Sequence, residues 1–301
     1  MSEIPPSGEV YPKLPVISVV IPTFNRATYL PQCLSSIVRQ NYPALEVIVI
    51  DGGSTDDTRA VVERYGDIVT TFISESDSGQ PEAVTKGLRL VSGDIAHWHA
   101  ADDIIMPDAF WRIADAFQAH PDVDLVFSNG LGFNHERIWN SAMCRWTTFW
   151  TSVLFFGRFN SDSAYWRHRI TVNGLPLDGR KPLMCDEDFF LRIWARHRHI
   201  WLPHPLGAFR SHGDQVSKLA DRSSLVSDRA DTRRRVLEEM GFSALDIAAL
   251  KRHYYHRYLL REIAAPKGAG ALRRLGRLAS FDIGRRRLSR YFFQEWLRPL
   301  R

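Results

Sequence analysis

Short apolar runs and longer amphipathic stretches alternate along the first half of the chain. The short runs are rich in Val and Ile and end at Pro, Gly or Asp, which predicts buried β-strands. Between them, apolar residues recur at every third or fourth position, which predicts helices. The predicted strands are 16–21, 45–50, 68–74, 94–99 and 123–128, and the predicted helices are 27–40, 56–65, 80–91 and 107–120. This alternation is typical of an α/β protein whose mostly parallel sheet has helices on both faces.

The pattern changes after Gly130. Residues 139–159 are rich in Trp and Phe, which favours core or a lid over the sheet, with a ligand platform as the alternative. A further helix is predicted at 183–197, a polar segment at 206–215, and mainly helix from 224 onward. The chain therefore divides into an irregular, Pro-containing lead-in at 1–15, an α/β half at 16–128, a second half at 129–218 and a helical C-terminal tail at 219–301.

The formal net charge of +5 is unevenly distributed. Residues 221–301 carry 19 Lys and Arg against nine Asp and Glu, so the rest of the chain is mildly acidic. A basic helical tail indicates either contact with an anionic surface, such as a membrane, or a solvated helical face. These basic residues belong to no recognisable nucleic-acid-binding module, so no nucleic-acid partner is expected.

The sequence lacks the marks of a secreted or membrane-spanning protein. Cys33, Cys144 and Cys185 have neither metal-binding nor redox spacing and are expected to be free thiols in a reducing compartment. Residues 1–15 lack a basic-then-apolar signal pattern, and no apolar run reaches the ~18 residues of a spanning helix. A cytoplasmic location is therefore expected.

Two predicted strands end in acidic residues. Asp51-Gly52-Gly53-Ser54 follows one strand, and Asp102-Asp103 follows another about fifty residues later. An Asp at the carboxyl end of a parallel strand lies at the crevice where open α/β sheets bind ligands. Two such ends indicate one carboxylate for a polar ligand group and a second set for a cation, as a nucleotide diphosphate with a divalent metal requires.

The first strand ends in Pro22-Thr23-Phe24-Asn25-Arg26. Thr23 and Asn25 can hydrogen-bond a base or ribose, and Arg26 can reach a phosphate; the same residues can instead turn the chain and cap a helix near Ala27. Gly53 allows a tight turn and close approach of the backbone to a ligand. The surrounding loop lacks both the dinucleotide-binding glycine spacing and the Lys of a phosphate-cradling P-loop.

These motifs, with Ser76-Asp77-Ser78-Gly79-Gln80 and Lys86-Gly87-Leu88 between them, resemble family 2 glycosyltransferases of the GT-A fold in order and spacing. The resemblance covers about residues 16–218. It implies that Asp51 contacts the nucleobase, usually uracil, beside Pro22, Thr23, Asn25, Arg26 and Gly53. Asp77 and Lys86 are implied near the ribose and phosphates.

The resemblance also implies a metal site. Asp102 occupies the last position of the family's Asp-x-Asp motif, and Asp103 beside it is assigned to the donor. The leading acidic or Asn position is Ala100 here, which departs from the pattern. One carboxylate can still hold Mn²⁺ or Mg²⁺ through the diphosphate, because such ions keep several waters. In the closing segment, His212 is implied in the metal shell or at the diphosphate, and Arg210 at the leaving group.

Cys185-Asp186-Glu187-Asp188 matches the region where the family carries its general base. Counting back from Arg192 selects Asp186, whereas alignment on Glu187-Asp188 selects Asp188. Either carboxylate can take a proton from an acceptor hydroxyl. Acidic residues are also favoured at any helix N-terminus, which accounts for the cluster without catalysis.

Together these features predict an inverting glycosyltransferase that uses a divalent metal. It would move a sugar from a nucleotide-sugar donor, a UDP-sugar, to a hydroxyl of a saccharide or lipid-linked acceptor in surface-polysaccharide synthesis. The basic tail fits peripheral contact with the inner membrane face. The alternatives are a non-catalytic nucleotide-sugar-binding module, motivated by Ala100, and a nucleotidyltransferase, which would need a Gly-rich basic loop that the first strand lacks.

Overall fold

The computed structural model describes residues 13–140, 161–172, 177, 182–215, 222–250 and 252. The chain forms two compact units, Met1–Arg145 with Phe159–Asp221, and Trp146–Arg158 with Arg222–Arg301. In the first unit the strands are β1 (Ile17–Thr23), β2 (Leu45–Asp51), β3 (Val69–Ser74), β4 (Ile95–Trp98), β5 (Ile104–Ile105), β6 (Leu125–Ser128), β7 (Leu131–Phe133), β8 (Ile138–Asn140), β9 (Ala164–Arg167), β10 (His199–Leu202) and β11 (Gly207–Arg210). Its helices are α1 (Leu30–Val38), α2 (Thr58–Arg64), α3 (Gln80–Leu90), α4 (Ala109–Ala119) and α5 (Cys185–Arg196).

The main sheet has seven strands in the order β10-β6-β9-β4-β1-β2-β3. β1 is parallel to β2 and β4, β2 is parallel to β3, and β6 is parallel to β10. Only β9 runs the other way, between β4 and β6. The predicted mostly parallel sheet is therefore confirmed, and each predicted strand lies within about two residues of its observed bounds.

Helices cover both faces of this sheet, as predicted. On one face, α1, α2 and α4 pack on alternate residues of β1 and β2, including Ile17, Val19 and Val47. On the other face, Gly87 brings α3 against β1, because a Cβ there would lie 2.3 Å from Val20 Cγ1. Phe189 and Phe190 of α5 pack against Trp98 and Trp166 on this second face.

A second, four-stranded sheet has the order β5-β11-β7-β8. β11 is antiparallel to β5 and parallel to β7. The sequence pattern of 206–215 predicts a polar segment, and the strand within it forms because β5 and β7 offer it hydrogen-bonding edges. This pairing ties β11 to the chain just after Asp102 and Asp103.

In the second unit, α6 (Arg222–Glu239) is followed by a turn at Gly241, whose φ of 87° is the left-handed conformation common just after a helix. Helix continues at 244–250. The predicted helical tail is confirmed over this part, and its remainder lies outside the described residues. Residues 141–160, which include most of the predicted aromatic segment, also lie outside them. Among the helices described, none is long and apolar enough to cross a bilayer.

Candidate functional site

The carboxyl ends of β1 and β2 meet in register, with Thr23 opposite Asp51. Asp51 is 1% exposed and accepts hydrogen bonds from the Ser54 amide at 3.1 Å and from Ser74 Oγ at 2.7 Å. Ser54 Oγ also donates to this carboxylate. Asp51 therefore fixes the loop that follows β2. Thr23 Oγ1, also buried, has no hydrogen-bond partner among the described residues.

Asn25 and Arg26 tie the β1 loop to the β2 loop. The Asn25 amide donates to Ser54 Oγ at 2.7 Å, and its side-chain Oδ1 accepts the Thr55 amide at 2.8 Å. The Arg26 amide donates to Thr58 Oγ1 at 3.1 Å. Asn25 thus turns the chain with a φ of 51°. The alternative cap near Ala27 is wrong, since α1 begins at Leu30 after Tyr29 with no side-chain cap.

The glycine loop closes against Asp77. A Cβ on Gly52 would lie 3.1 Å from both Asp77 carboxylate oxygens, and Gly53 has a φ of 82°. Asp77 Oδ1 accepts the Gly79 amide at 2.8 Å. Any side chain at the two loop glycines would therefore crowd the carboxylate or strain the backbone.

Lys86 lies on α3 and is held by two carboxylates. Its Nζ is 2.9 Å from both Glu75 Oε1 and Glu82 Oε1. Hydrogen bonds to these groups raise the pKa of Lys86, and hydrogen bonds from Ser78 and Lys86 lower the pKa of Glu82 to about 2. The ammonium is therefore already neutralised, and a phosphate would have to compete with both Glu side chains for it.

Asp102 lies where β1, β4 and β11 converge. His212 Nε2 is 2.9 Å from Asp102 Oδ2, and Arg26 Nε is 3.8 Å from the same oxygen. The His212 ring also packs against Tyr29, with ring centroids 4.4 Å apart. The structure thus joins three predicted site residues from distant parts of the sequence. Their carboxylate, imidazole and guanidinium groups form a compact polar cluster.

Arg210 holds this cluster together from β11. Its Nε donates to the Asp102 carbonyl at 2.8 Å, and its backbone amide donates to Asp103 Oδ1 at 2.8 Å. The guanidinium lies over the rings of Phe133, at 4.6 Å, and Tyr29, at 5.3 Å. Arg210 therefore positions the Asp102 turn, a contribution that the residue's place in the sequence does not reveal.

We expect Arg210→Lys to lower the melting temperature by roughly 4–8 °C. Lysine keeps the charge but loses the planar fork and the ring stacking that hold the turn. Arg169→Lys is the matched control, because Arg169 pairs with Asp124 while 60% exposed. Thermal unfolding of the unmodified protein and of both variants measures the effect. If Arg210→Lys melts at the same temperature as Arg169→Lys, the Arg210 contacts contribute nothing to stability.

Asp103 is 5% exposed, unlike Asp102. Burial, together with the negative charges of Asp102 and Asp162, raises the pKa of Asp103 well above its usual range. Burial also raises the pKa of the nearby Cys33 thiol. Cys33 and Cys185 are buried free thiols, as predicted, and Cys144 lies outside the described residues.

The two candidate bases both lie in the first turn of α5, but they differ in exposure and in hydrogen-bond partners. Asp188 is 2% exposed and pairs with Arg192, with Nε to Oδ2 at 2.8 Å and Nη2 to Oδ1 at 3.2 Å. Asp186 is only partly buried, and its Oδ1 accepts the Glu187 amide at 2.7 Å. Asp186 is therefore the more accessible carboxylate, and Asp188 is bound within the helix.

Sequence reasoning missed several residues of this region. Gln32 accepts a hydrogen bond from Arg210 Nη2 at 2.5 Å, and Gln215 donates to the Arg210 carbonyl at 2.5 Å. Asp162 is buried, and burial with the negative charge of Asp186 raises its pKa to about 7. Gln32 and Asp162 belong to no motif, and Gln215 lies in the closing segment without a role of its own in the resemblance, so no local sequence signal marks the three.

No group of three or more His, Cys, Asp or Glu side chains arranged to bind a metal occurs within the described residues. Asp102 and His212 nevertheless offer a carboxylate oxygen and an imidazole nitrogen at one point. Nε2 is the ring nitrogen that faces Asp102, so an ion held by both residues would take Nε2 and Asp102 Oδ2 in place of their mutual hydrogen bond. Two such donors fit a Mn²⁺ or Mg²⁺ ion that takes its other ligands from diphosphate and water.

Residues 18–174 match the model of the family described as Glycosyl transferase family 2. A PGL/p-HBAD biosynthesis glycosyltransferase of Mycobacterium tuberculosis is 28% identical over 221 residues, which cover 70% of this chain and 83% of that protein. The matched residues 18–174 include Asp51 and Asp102.

Solved structures share the fold. S. aureus TarS 1-349 in complex with UDP has a TM-score of 0.62 at 20% identity, covering 85% of this chain and 74% of its own. The mannosyltransferase PcManGT from Pyrobaculum calidifontis, in complex with GDP-Man and Mn²⁺, has a TM-score of 0.53 at 17% identity, covering 95% and 84%. The predicted GT-A fold is thus confirmed.

Proposed function

Because the chain belongs to glycosyl transferase family 2, we propose that it is an inverting glycosyltransferase that moves a sugar from a UDP-sugar to an acceptor hydroxyl. The observation that carries this proposal is the meeting of three acidic positions at one edge of the sheet. Asp51 ends β2, and Asp102 follows β4. Asp186 lies in the first turn of α5, which packs on the turn beyond the ends of β4 and β6. This is the edge where open α/β sheets bind ligands.

The uridine would bind beside Asp51 and Thr23. A carboxylate oxygen accepts more than one hydrogen bond, so Asp51 can hold its loop and still accept a base N–H. The buried Thr23 hydroxyl has no partner among the described residues, which supports a ligand contact there. TarS is a protein of the same fold solved with UDP. Gly52 and Gly53 would let the donor approach the backbone, with Asp77 toward the ribose.

The diphosphate would lie against Asp102, His212 and Arg26. Asp102 and His212 would hold the divalent metal, and the Arg26 guanidinium, 3.8 Å from Asp102, would face the phosphates. A bound Mn²⁺ or Mg²⁺ supplies charge that stabilises the departing diphosphate. PcManGT is a protein of the same fold solved with Mn²⁺. Arg210 would act through Asp102 by fixing its turn.

Asp186 would act as the base. It would take the proton of the acceptor hydroxyl while that oxygen forms a bond to the anomeric carbon and the bond from this carbon to the diphosphate breaks. Attack from the face opposite the leaving group inverts the anomeric carbon. The Asp188–Arg192 pair would hold the first turn of α5, so that Asp186 stays directed to the acceptor.

A transfer assay tests this function against its alternatives. Full-length protein is incubated with a radiolabelled panel of UDP- and GDP-sugars, Mn²⁺, and saccharide or lipid-linked acceptors. We expect label to move to an acceptor from a UDP-sugar. Donor binding without turnover on any acceptor would support the non-catalytic module, and pyrophosphate release from a nucleoside triphosphate would support the nucleotidyltransferase.

The acceptor would be a saccharide or a lipid-linked saccharide of a surface polysaccharide. The basic region at 221–301 would bring the enzyme to such a lipid at the cytoplasmic membrane face. Flotation of the full-length protein with anionic vesicles, but not with neutral ones, is the result expected from this contact.

A further inference from the structure

Asp162 has no role in the proposed mechanism, although it lies at the same edge of the sheet. It belongs to a short turn, Ser161–Ser163, directly before β9. β9 is antiparallel to β6 with Ala164 opposite Phe127, and antiparallel to β4 with Tyr165 opposite His97. Because β9 runs against its neighbours, the residues before it lie beyond their carboxyl ends. Asp162 is therefore next to the turns that carry the acidic site residues.

The Asp162 side chain is tightly enclosed. It is 4% exposed, and the turn packs against β11 and α5. A Cβ on Gly207 would lie 2.0 Å from the Asp162 carbonyl oxygen and 3.0 Å from Asp162 Oδ2. Oδ2 has no hydrogen-bond partner among the described residues. An ionised carboxylate is costly in such a place, so the group tends to keep its proton.

Other ionisable groups face Asp162 from three sides. These groups are Asp186 in α5, Asp103 in the turn after β4, and Tyr165 in β9. Burial and the charge of Asp186 raise the pKa of Asp162 to about 7, and Asp162 in turn raises the pKa of Asp103 and of Tyr165. On β11, Arg210 is directed to Asp102 and Asp103 instead. Asp162 therefore interacts electrostatically both with Asp103, next to the proposed metal ligand, and with Asp186, the proposed base.

We propose that Asp162 is a positioning residue that sets how strongly Asp186 holds the acceptor proton, an inference that rests on the proposed function. Below about pH 7, Asp162 keeps its proton and places no charge beside Asp186. As pH rises through about 7, Asp162 ionises, and its charge makes Asp186 the stronger base. The enzyme should therefore gain activity in two steps as pH rises.

The pH profile of kcat/KM tests this inference in the full-length enzyme and in Asp162→Asn. We expect the unmodified enzyme to rise in two steps, the second near pH 7. Asp162→Asn should keep only the first step, matching the unmodified enzyme near pH 5.5 and falling roughly tenfold below it near pH 8.5. Asp124→Asn, a part-buried Asp that pairs with Arg169 outside this cluster, should keep both steps.

Thermal unfolding gives a second readout that does not depend on catalysis. The folded protein holds the Asp162 proton more tightly than the unfolded chain, whose Asp pKa is about 3.9. Stability from this group is therefore lost as pH rises from about 4 to 7, and Asp162→Asn does not lose it. We expect the variant's melting temperature, relative to the unmodified enzyme, to rise by roughly 3–10 °C between pH 4 and pH 8.

These readouts separate the possible failures. An unchanged two-step profile with a pH-independent difference in melting temperature would overturn the role of Asp162. Full transfer by Asp186→Asn would instead remove the proposed base, whatever Asp162 does to stability. If Asp162→Asn does not fold, Asp162→Ser removes the same titration without adding an amide N–H, and the same two outcomes decide.

Discussion

Asp186→Asn is expected to lower kcat by about 10²–10⁴, the contribution of a positioned general base. Asparagine keeps the shape of the side chain and its bond from the Glu187 amide, but it cannot take the acceptor proton. Donor affinity should stay within about twofold, because the proposed function assigns Asp186 to the acceptor hydroxyl and not to the donor. Steady-state transfer with saturating donor and acceptor measures kcat, and calorimetric titration with UDP measures donor binding.

Asp188→Asn is the matched variant two residues further along α5. Asp188 is 2% exposed and paired with Arg192, so its replacement should lower the melting temperature while kcat falls much less than in Asp186→Asn. The reverse result, with Asp188→Asn inactive but stable and Asp186→Asn active, would assign the base to Asp188.

Much of the fold could be predicted because it depends on local periodicity. The apolar runs around Val19 and Val49 place their strands in the middle of the sheet, and the helices between them follow from three- and four-residue spacing. The residues at strand ends were predictable for the same reason. Asp51 ends β2, and the carboxyl ends of parallel strands share one edge.

The remaining features depend on contacts between distant segments. Strand β11 forms because β5 and β7 pair with it, and its four residues are too few to show strand periodicity in the sequence. The resemblance implies that Arg210 lies at the leaving group. In the structure its Nε donates to the Asp102 carbonyl. The rings that contact its guanidinium belong to Tyr29, just before α1, and Phe133, in β7. Lys86 is likewise paired with Glu75 and Glu82. The Glu82–Lys86 pair has the i,i+4 spacing of a helix and is visible in the sequence, whereas the Glu75 and Arg210 contacts follow from the packing of elements and are not.

The second large effect is expected at Asp102. We expect Asp102→Asn to lower kcat/KM by roughly 10²–10³ and to remove the dependence of UDP binding on Mn²⁺. An amide binds a divalent cation more weakly than a carboxylate and no longer balances the charge of Arg26. Thermal shift by UDP, with and without Mn²⁺, measures the binding, and the transfer assay measures kcat/KM. Asp94→Asn is the control. Asp94 directly precedes β4, at the end of that strand opposite to Asp102, and its carboxylate accepts a hydrogen bond from the Val16 amide.

A His212 variant shows why Asp102→Asn loses activity and Mn²⁺-dependent UDP binding. If the two residues hold one cation, His212→Gln should weaken the Mn²⁺-dependent shift as well, and the double variant should lose little more than Asp102→Asn alone. If Asp102 only orients His212 and the turn, the double variant should again lose little more than one single variant, because the two side chains are in contact. In that case, however, Mn²⁺ should stabilise the UDP complex of each variant as it does that of the unmodified enzyme, and this dependence on Mn²⁺ separates the two cases. Since Ala100 stands where the motif's leading acidic residue or Asn is expected, the proposed metal site depends on Asp102 and His212.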